Sequence, residues 1–314
     1  MGSKTFFLGM LVIGMVFIGC DHGNGIGGGN GNINVYLAGD SDGNAMLWRN
    51  GVAKNLGSGV AFSVFVSGNN VYVAGVSEGN AILWRNGVAQ NLGTGEARSV
   101  FVSGNNVYVA GMTAQSGGNA MLWRNGVAQS LQTEGVGSSA WSVFVSGSDV
   151  YVAGRLGFWE EPVLWRNGEV LQNLGALGHS NSVFVSGNNV YVAGTDASWG
   201  NPTLWTNGTP QNLEMAGGRG NASSVFVSGS DVYVAGSIDP TSNFDNIAML
   251  WKNGVSQILE LESDARSFAT SVFVFDNDVY VAGFSGDYAT LWVNGETQIL
   301  GQGRVFSVFV ALGQ

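Results

Sequence analysis

Short apolar runs alternate along the chain with glycine and asparagine, and no apolar stripe at helical spacing interrupts this pattern. In the run Val71-Tyr72-Val73-Ala74, neither the odd nor the even positions are polar. A sheet with one exposed face would alternate apolar and polar residues, so these strands are expected to be covered on both faces. The pattern therefore predicts an all-β protein of short buried strands joined by tight turns.

The predicted strands belong to a repeat. The chain contains seven copies each of the motifs SVFV, VY(V/L)AG and LWxNG, and the motif tyrosines are spaced by 36 to 47 residues. Periods of this size occur in propellers and in helical solenoids, and the composition of the runs excludes helices. The repeated tyrosines are Tyr36, Tyr72, Tyr108, Tyr151, Tyr191, Tyr233 and Tyr280.

Each repeat is predicted to form four antiparallel strands. The turn segments Gly68-Asn69-Asn70 and Asn86-Gly87 contain residues that tolerate the positive φ angles of tight hairpins. Propeller blades cover both of their faces with neighbouring blades, which matches the apolar pattern. In the second repeat the expected strands are Phe62 to Ser67, Val71 to Ala74, Ala81 to Arg85 and Val88 to Leu92.

The two ends of the repeat region complement each other. The last SVFV, at Ser307 to Val310, has no VYVAG after it, and the first VYLAG, at Val35 to Gly39, has no SVFV before it. We therefore expect Arg304 to Ala311 to supply the innermost strand of the blade formed by Asn34 to Leu56. This predicts a seven-bladed β-propeller over residues 33–314, with the C-terminal strand closing the ring.

The repeat also carries a resemblance to known blades. The segment SVFVSGNNVYVAG followed by LWRNG resembles the kelch-type blade, with Ala-Gly in place of its paired glycines and Leu-Trp-Arg-Asn-Gly in place of its Tyr-Asp strand. The whole region from Ile33 to Gln314 is more similar to the seven-repeat propeller lipoproteins of bacteria. This resemblance implies a fold and no particular activity.

The first 32 residues differ from the repeats. Lys4 and the apolar run Phe6 to Ile18 resemble a signal peptide, and Phe17-Ile18-Gly19-Cys20 resembles a bacterial lipobox. Residues 1–20 are therefore expected to be a lipoprotein signal peptide, with Cys20 as the lipidated residue. The glycine- and asparagine-rich residues 21–32 are expected to form a flexible tether. These features predict an exported protein anchored by lipid in the bacterial cell envelope.

The charge balance restricts the partners. Removal of residues 1–20 takes away Lys4 and no acid, which leaves 11 basic against 22 acidic residues and a net charge of −11. Such a protein is expected to repel nucleic acid and anionic lipid headgroups. We therefore expect a monomer that meets the membrane only through its lipid anchor.

Candidate catalytic and metal-binding motifs are few. His22 and His179 have no second ligand at zinc spacing, and no cofactor is predicted. Asp40 and Asp42 resemble the start of a calcium loop but lack its later acidic ligand. Carboxylates in the variable loops could serve a glycoside hydrolase, which needs two of them across a sugar. They are Glu160, Glu161, Asp196, Asp239, Asp245 and Asp287.

Residues shared by every repeat are expected to build the scaffold, and the seven repeated tryptophans are expected to pack between blades. The copies differ in the links from second to third strand and from fourth strand to the next blade. Both kinds of link emerge on one face of a propeller, which is the expected binding face. The tryptophans are Trp48, Trp84, Trp123, Trp165, Trp205, Trp251 and Trp292.

One position inside the repeat also varies, namely the residue before the SVFV serine, at the expected mouth of the central channel. Its occupants form an aromatic arc with one arginine and an opposite arc of small polar residues. In ring order they are Phe306, Phe62, Arg98, Trp141, Asn181, Ser223 and Thr270. With the loop residues Phe158, Trp159 and Trp199, the aromatic arc is the predicted ligand site, and plugging of the channel is the alternative role.

Two functions remain open at this point. The first is a membrane-tethered, non-enzymatic binding or scaffolding propeller that presents its variable loop face to an envelope protein or glycan. The alternative is an envelope carbohydrate-active enzyme that uses the loop carboxylates.

Overall fold

The computed structural model describes residues 33–113, 118–131, 137–157, 161–196, 200–215, 217–240, 245–259 and 266–313. The predicted signal peptide with Cys20, the predicted tether, and the loop aromatics Phe158, Trp159 and Trp199 lie outside the described residues. Regular structure in the described ranges consists of β-strands, as the apolar pattern predicts.

The strands follow one another with short connections. The first half of the chain contains β1 (Ile33–Ser41), β2 (Asn44–Arg49), β3 (Val52–Ser58), β4 (Val60–Ser67), β5 (Asn70–Ser77), β6 (Asn80–Arg85), β7 (Val88–Ser103), β8 (Asn106–Thr113), β9 (Ala120–Arg124), β10 (Val127–Ser130), β11 (Ser138–Ser146), β12 (Asp149–Leu156), β13 (Glu161–Arg166) and β14 (Glu169–Asn173). The second half contains β15 (His179–Ser186), β16 (Asn189–Thr195), β17 (Pro202–Thr206), β18 (Thr209–Asn212), β19 (Arg219–Ser228), β20 (Asp231–Asp239), β21 (Ile247–Lys252), β22 (Val255–Ile258), β23 (Ser267–Phe275), β24 (Asp278–Ser285), β25 (Tyr288–Val293), β26 (Glu296–Gln302) and β27 (Arg304–Leu312).

Most of these strands form four-stranded antiparallel sheets. Four sheets contain consecutive strands, β11 to β14, β15 to β18, β19 to β22 and β23 to β26, and a fifth has the order β27-β1-β2-β3. The sixth sheet has seven strands because β7 is shared: its first part pairs with β6, and its part from Gly95 onward pairs with β8. The long strand thus serves as the fourth strand of one repeat and the first strand of the next.

The tight turns form as the sequence predicts. In the turn between the third and fourth strands of the second repeat, Asn86 and Gly87 have φ angles of 53° and 85°, and the other six Asn-Gly pairs are similar. The Asn86 side chain accepts a hydrogen bond from the Val71 N–H at 2.8 Å, which ties the turn to the second strand. Asparagine and glycine adopt positive φ at low cost, so the dipeptide determines where the hairpin reverses.

The repeated tryptophans pack between neighbouring repeats, which confirms their predicted role. All seven are buried. Trp84 joins Val73 of its own repeat to Tyr36 and Leu47 of the preceding repeat in one apolar cluster. Trp48 and Leu37 of the first repeat pack in the same way against Tyr280 of the last. All of these apolar clusters lie within the described repeats, so the region has a complete core of its own.

Two series of contacts link the first strands of successive repeats. The SVFV phenylalanine rings Phe65, Phe101, Phe144, Phe184, Phe226, Phe273 and Phe309 each contact two others, with centroids 4.7–4.9 Å apart. Each SVFV serine hydroxyl also accepts a hydrogen bond from a valine N–H of the next first strand. The pairs are Val64–Ser307, Val100–Ser63, Val143–Ser99, Val183–Ser142, Val225–Ser182, Val272–Ser224 and Val308–Ser271.

The first strands joined by these contacts run in the same direction, so equivalent connections of all sheets lie on the same side. The connections therefore form two faces. One face, called the tight-turn face, contains the turns between first and second strands and between third and fourth strands. The other, called the loop face, contains the links of variable length. β1 begins at the tight-turn face, where Ile33 is paired with Leu312 of β27.

Candidate functional site

The residue before each SVFV serine lies in a β-bulge near the loop face. In the second repeat, Ala61 is paired with Gly75 and Ser63 with Ala74, so Phe62 is the extra residue of its strand. The same register shift occurs in all seven repeats. A bulge leaves one residue out of the ladder and redirects its side chain. It therefore separates these seven side chains from the regular packing of the blades.

The bulge explains the glycine of the VYVAG motif. A Cβ atom on Gly111 would lie 1.9 Å from the carbonyl oxygen of Glu96, and the equivalent glycines meet a similar backbone carbonyl. The bulged strand thus approaches the second strand more closely than any side chain allows.

Four consecutive bulge residues form one row of neighbouring side chains on the loop face, called here the aromatic row: Phe306, Phe62, Arg98 and Trp141. The rings of Phe306 and Phe62 have centroids 5.8 Å apart. The Arg98 guanidinium carbon lies 4.0 Å from the centre of the Phe62 ring and 4.6 Å from that of Trp141. The structure thus brings together the four described members of the predicted ligand site.

Charged neighbours surround the aromatic row. Glu96 forms an ion pair with Arg98, and the Arg155 guanidinium lies 5.7 Å from the centre of the Trp141 ring. Burial is the main cause that lowers the pKa of Arg98; Glu96 opposes this effect and Arg155 adds to it. Arginine still remains protonated at physiological pH. The row therefore keeps a positive charge between two aromatic faces, a favourable cation–π arrangement.

Some polar atoms of the aromatic row lack partners. Arg98 Nε and Trp141 Nε1 are buried and have no hydrogen-bond partner among the described residues. Both atoms are donors only, so only an acceptor group can satisfy them. A buried donor without a partner costs about 1–3 kcal/mol.

The opposite arc is satisfied within the protein. Asn181 donates to the Asn221 side chain at 2.8 Å and to the carbonyl of Ala222 in the next repeat at 2.9 Å. Thr270 donates to the carbonyl of Val305, also in the next repeat, at 2.8 Å. Ser223 accepts from Asn221 at 3.1 Å. Asn181 and Thr270 thus connect neighbouring repeats, whereas the aromatic row contains two buried donors without a partner among the described residues.

The calcium candidates lie at the same end of the first repeat. The Asp40 carboxylate accepts hydrogen bonds from Arg304 Nε at 3.1 Å and Nη2 at 2.6 Å, and Asp42 lies in the turn between β1 and β2. This ion pair raises the pKa of Arg304. Within the described ranges, no group of three or more His, Cys, Asp or Glu side chains is arranged to hold a metal ion.

The loop carboxylates proposed for catalysis are dispersed. Asp239 is buried and forms an ion pair with Arg219 at 3.3 Å, and Glu161 accepts a hydrogen bond from Asn173 at 3.3 Å. Asp196 has a buried carboxylate oxygen without a partner in the part of the chain that the structure describes. Glu160 lies outside that part.

Sequence reasoning missed three charged residues of this region, Glu96, Arg155 and Arg304. Glu96 and Arg304 could have been found, because each lies two positions before a bulge residue of the aromatic row in the sequence. Arg155 contacts a ring on the neighbouring strand, so its role depends on strand register.

Comparisons with known proteins show which folds this chain resembles. The model of the LVIVD repeat matches residues 58–82, 94–113 and 177–198. The periplasmic gluconolactonase of Pseudomonas aeruginosa is 13% identical with a TM-score of 0.54, and a nidogen/laminin complex chain is 11% identical with a TM-score of 0.48. Both alignments cover 90% of this chain and 100% of the other chain. No curated protein is significantly similar in sequence.

The search for membrane spans found no helix in the described residues that is long and apolar enough to cross a bilayer. The four-stranded sheets, the repeat match and the structural similarity agree with one architecture. The chain is a β-propeller repeat protein.

Proposed function

We propose that the chain is a seven-bladed propeller, closed by β27, that is lipid-anchored at Cys20 in the bacterial envelope and binds a protein or glycan partner on its loop face without catalysing a reaction. The kelch-like blade layout belongs to the same proposal. Closure is supported by the pairing of β27 with β1 and by the phenylalanine and serine contacts that continue from the last repeat to the first.

The aromatic row is the observation that carries the binding function. It presents ring faces and a guanidinium on one side of the loop face, whereas the opposite arc uses its polar groups for contacts between repeats. Aromatic faces beside polar groups suit stacking on a sugar ring or docking of an apolar side chain. The donors of Arg98 and Trp141 that lack a partner among the described residues are buried, so an acceptor group would have to enter the row to reach them.

The enzyme alternative is supported less well. Hydrolysis of a glycoside needs two carboxylates that face one sugar. The carboxylates of Asp40, Glu96 and Asp239 each form an ion pair with an arginine. Such pairs favour structural roles for these groups.

Trp141→Ala tests the proposal against the alternative in which the aromatic row only plugs the channel. The soluble chain from Asp21 onward would be screened on immobilised glycans and envelope proteins, with product analysis for turnover. Removal of one stacking ring is expected to weaken binding roughly tenfold, since such a contact contributes about 0.5–1.5 kcal/mol beyond its buried area. Turnover by the wild type would contradict the non-enzymatic proposal.

Trp123→Ala is the matched control, because Trp123 is a buried repeated tryptophan that donates to the Leu92 carbonyl at 3.1 Å. It should lose about 3–5 kcal/mol of stability, as large core truncations do. Trp141→Ala should melt much closer to the wild type. Equal losses of stability in the two variants would assign Trp141 to the scaffold and contradict the binding role.

A further inference from the structure

The tight-turn face has an unequal charge distribution. In the first three repeats, the third strands end in arginine, and the fourth strand of the first repeat adds a lysine; no acidic residue lies at this end of these repeats. In the other four repeats, the same positions and turns contain six acidic and two basic residues. We call the first set the basic arc; it consists of Arg49, Lys54, Arg85 and Arg124.

The arginines of the basic arc are held in place by uncharged partners among the described residues. Each lies 5.5–5.6 Å from the centre of a repeated tyrosine ring, and its Nε donates to an asparagine side chain. In the fourth and sixth repeats, aspartate replaces that asparagine and forms ion pairs, Arg166–Asp149 and Lys252–Asp231. The basic arc therefore retains its charge, although the whole chain carries a net charge of −10.

Exposed valines accompany the arginines. The hairpin tips read Arg-Asn-Gly-Val in the first three repeats, and Val52, Val88 and Val127 are 73–74% exposed. Glutamate occupies this position in the fourth and last repeats. Basic residues beside exposed apolar ones are the composition of surfaces that lie on anionic membranes. A purely electrostatic partner would not need the valines.

Two depressions on the tight-turn face are lined in part by arginines of the basic arc. One of about 750 Å³ is bordered by Tyr36 and Arg49 of the first repeat, and one of about 530 Å³ lies beside Tyr72 and Arg85. A guanidinium with free donors in such a depression suits a phosphate group, which it binds by charge-assisted hydrogen bonds.

The position at which the chain enters the propeller favours a membrane as the occupant. β1 begins at Ile33 on the tight-turn face, and Asn34 accepts the hydrogen bond from Arg49. A lipid attached at Cys20 would be separated from this point by only twelve residues, 21–32. The basic arc thus lies on the face, and beside the blade, at which β1 begins, so a lipid at Cys20 would be joined to the protein on this side.

We propose that the basic arc is a membrane-docking surface that binds the phosphates of anionic lipid headgroups while the three valines contact the interface. It would orient the loop face, and the aromatic row, away from the bilayer. The net negative charge of the chain is expected to repel anionic headgroups, and the basic arc would be a local exception to that repulsion. The orientation rests on the proposed anchor, whereas the docking surface can be tested without it.

The test uses the chain from Asp21 onward, without lipid, and vesicles of phosphatidylcholine alone or with one third phosphatidylglycerol. We expect cosedimentation only with the anionic vesicles, decreasing as salt increases. The triple variant Arg49→Thr, Arg85→Thr, Arg124→Thr uses a residue that the fifth repeat has at this position, Thr206. It should weaken binding on the order of 100-fold at low salt, since each basic residue near the surface contributes about fivefold.

Two further variants guard against unfolding and non-specific charge effects. Lys54→Gln introduces the residue that the other six repeats pair with the equivalent leucine, so the fold should be kept while binding falls several-fold. Arg166→Thr with Lys252→Thr and Arg266→Thr removes the same total charge outside the basic arc and should have a much smaller effect. Thermal melts of all variants would verify folding.

Several outcomes would overturn the proposal. These are equal binding to neutral and anionic vesicles, an equal loss in the control triple variant, or unchanged binding of the basic-arc triple variant. The triple variant Val52→Ser, Val88→Ser, Val127→Ser should weaken vesicle binding. Unchanged binding of this variant would mean that the basic arc binds a soluble anion and not a membrane. Displacement from vesicles by inorganic phosphate, at matched ionic strength, would lead to the same conclusion. None of these results depends on whether the loop face binds a partner.

Discussion

At the scale of single residues, the bulge and its facing glycine form one unit. The bulged side chain can differ from repeat to repeat because it lies outside the hydrogen-bonded ladder of the sheet, whereas the glycine must be the same. At Gly111 the reason is the carbonyl of Glu96, which lies where a Cβ would be. The β-bulge therefore explains both why the residue equivalent to Arg98 varies among the repeats and why the residue equivalent to Gly111 is always glycine.

Gly111→Ala is expected to destabilise the protein by roughly 1–3 kcal/mol, because backbone atoms must move to admit the methyl group. The shift would also displace Arg98 from Phe62 and Trp141. Urea denaturation and near-ultraviolet circular dichroism would measure the two effects.

Gly175→Ala is the control, since its nearest neighbour to a new Cβ is Pro162 Cγ at 3.7 Å. It should change stability by less than about 0.5 kcal/mol. If both variants have equal stability, the close approach at the bulge is not a constraint in solution.

At the scale of elements, the pairing of the first and last strands has the largest effect on the architecture. β27 pairs with β1 along its length, and Arg304 reaches Asp40 across 264 residues of sequence. Phe309 also contacts the rings of Phe273 and Phe65. The strand thus connects the two ends of the repeat region, and nothing in the local sequence of either end does so alone.

Deletion of residues 304–314 is expected to expose the edge of β1 and the rings of Phe65 and Phe273. An unpaired strand edge beside an apolar surface promotes aggregation. Light scattering should detect aggregation, and calorimetry should show loss of a single cooperative transition. Deletion of only Gly313 and Gln314, which follow β27, should have little effect. A monomeric 304–314 deletion with an unchanged melt would contradict the proposed closure.

At the scale of the whole molecule, the two faces have different chemistry. The loop face carries the aromatic row, and the tight-turn face carries the basic arc. The tight turns leave little room for variation in length, so charge is the property that can vary there. The proposed lipid anchor and basic arc would act on the same side, and a partner would meet the other side.

Cys20→Ser tests the proposed anchor. If the Cys20 thiol accepts the lipid, the serine variant should keep residues 1–20 and lack the acyl chains. Mass spectrometry of the purified proteins would show both changes, and fractionation should show loss of the mature lipidated form. Masses that differ only by the replacement of sulfur with oxygen, together with identical fractionation of variant and wild type, would refute lipidation at this residue.

Much of the fold could be predicted because its determinants are local. Asn-Gly pairs reverse the chain wherever they occur, and Val71 to Ala74 was predicted as a strand because both of its faces are apolar. The observed strand is longer, Asn70–Ser77, since hydrogen bonding to β4 and β6 continues through polar residues. The buried position of the tryptophans and the unlike arcs at the bulges also followed from comparison of the repeats.

Other features depend on which strands become neighbours. Side-chain type and spacing are enough to predict the repeat, the turns, the buried tryptophans and the aromatic residues before the serines. The folded arrangement of the strands is needed to show that Arg98 lies between Phe62 and Trp141, that Asp40 pairs with Arg304, and that the basic arc lies where β1 begins. Such contacts join residues far apart in sequence, and strand register and the packing between repeats determine them.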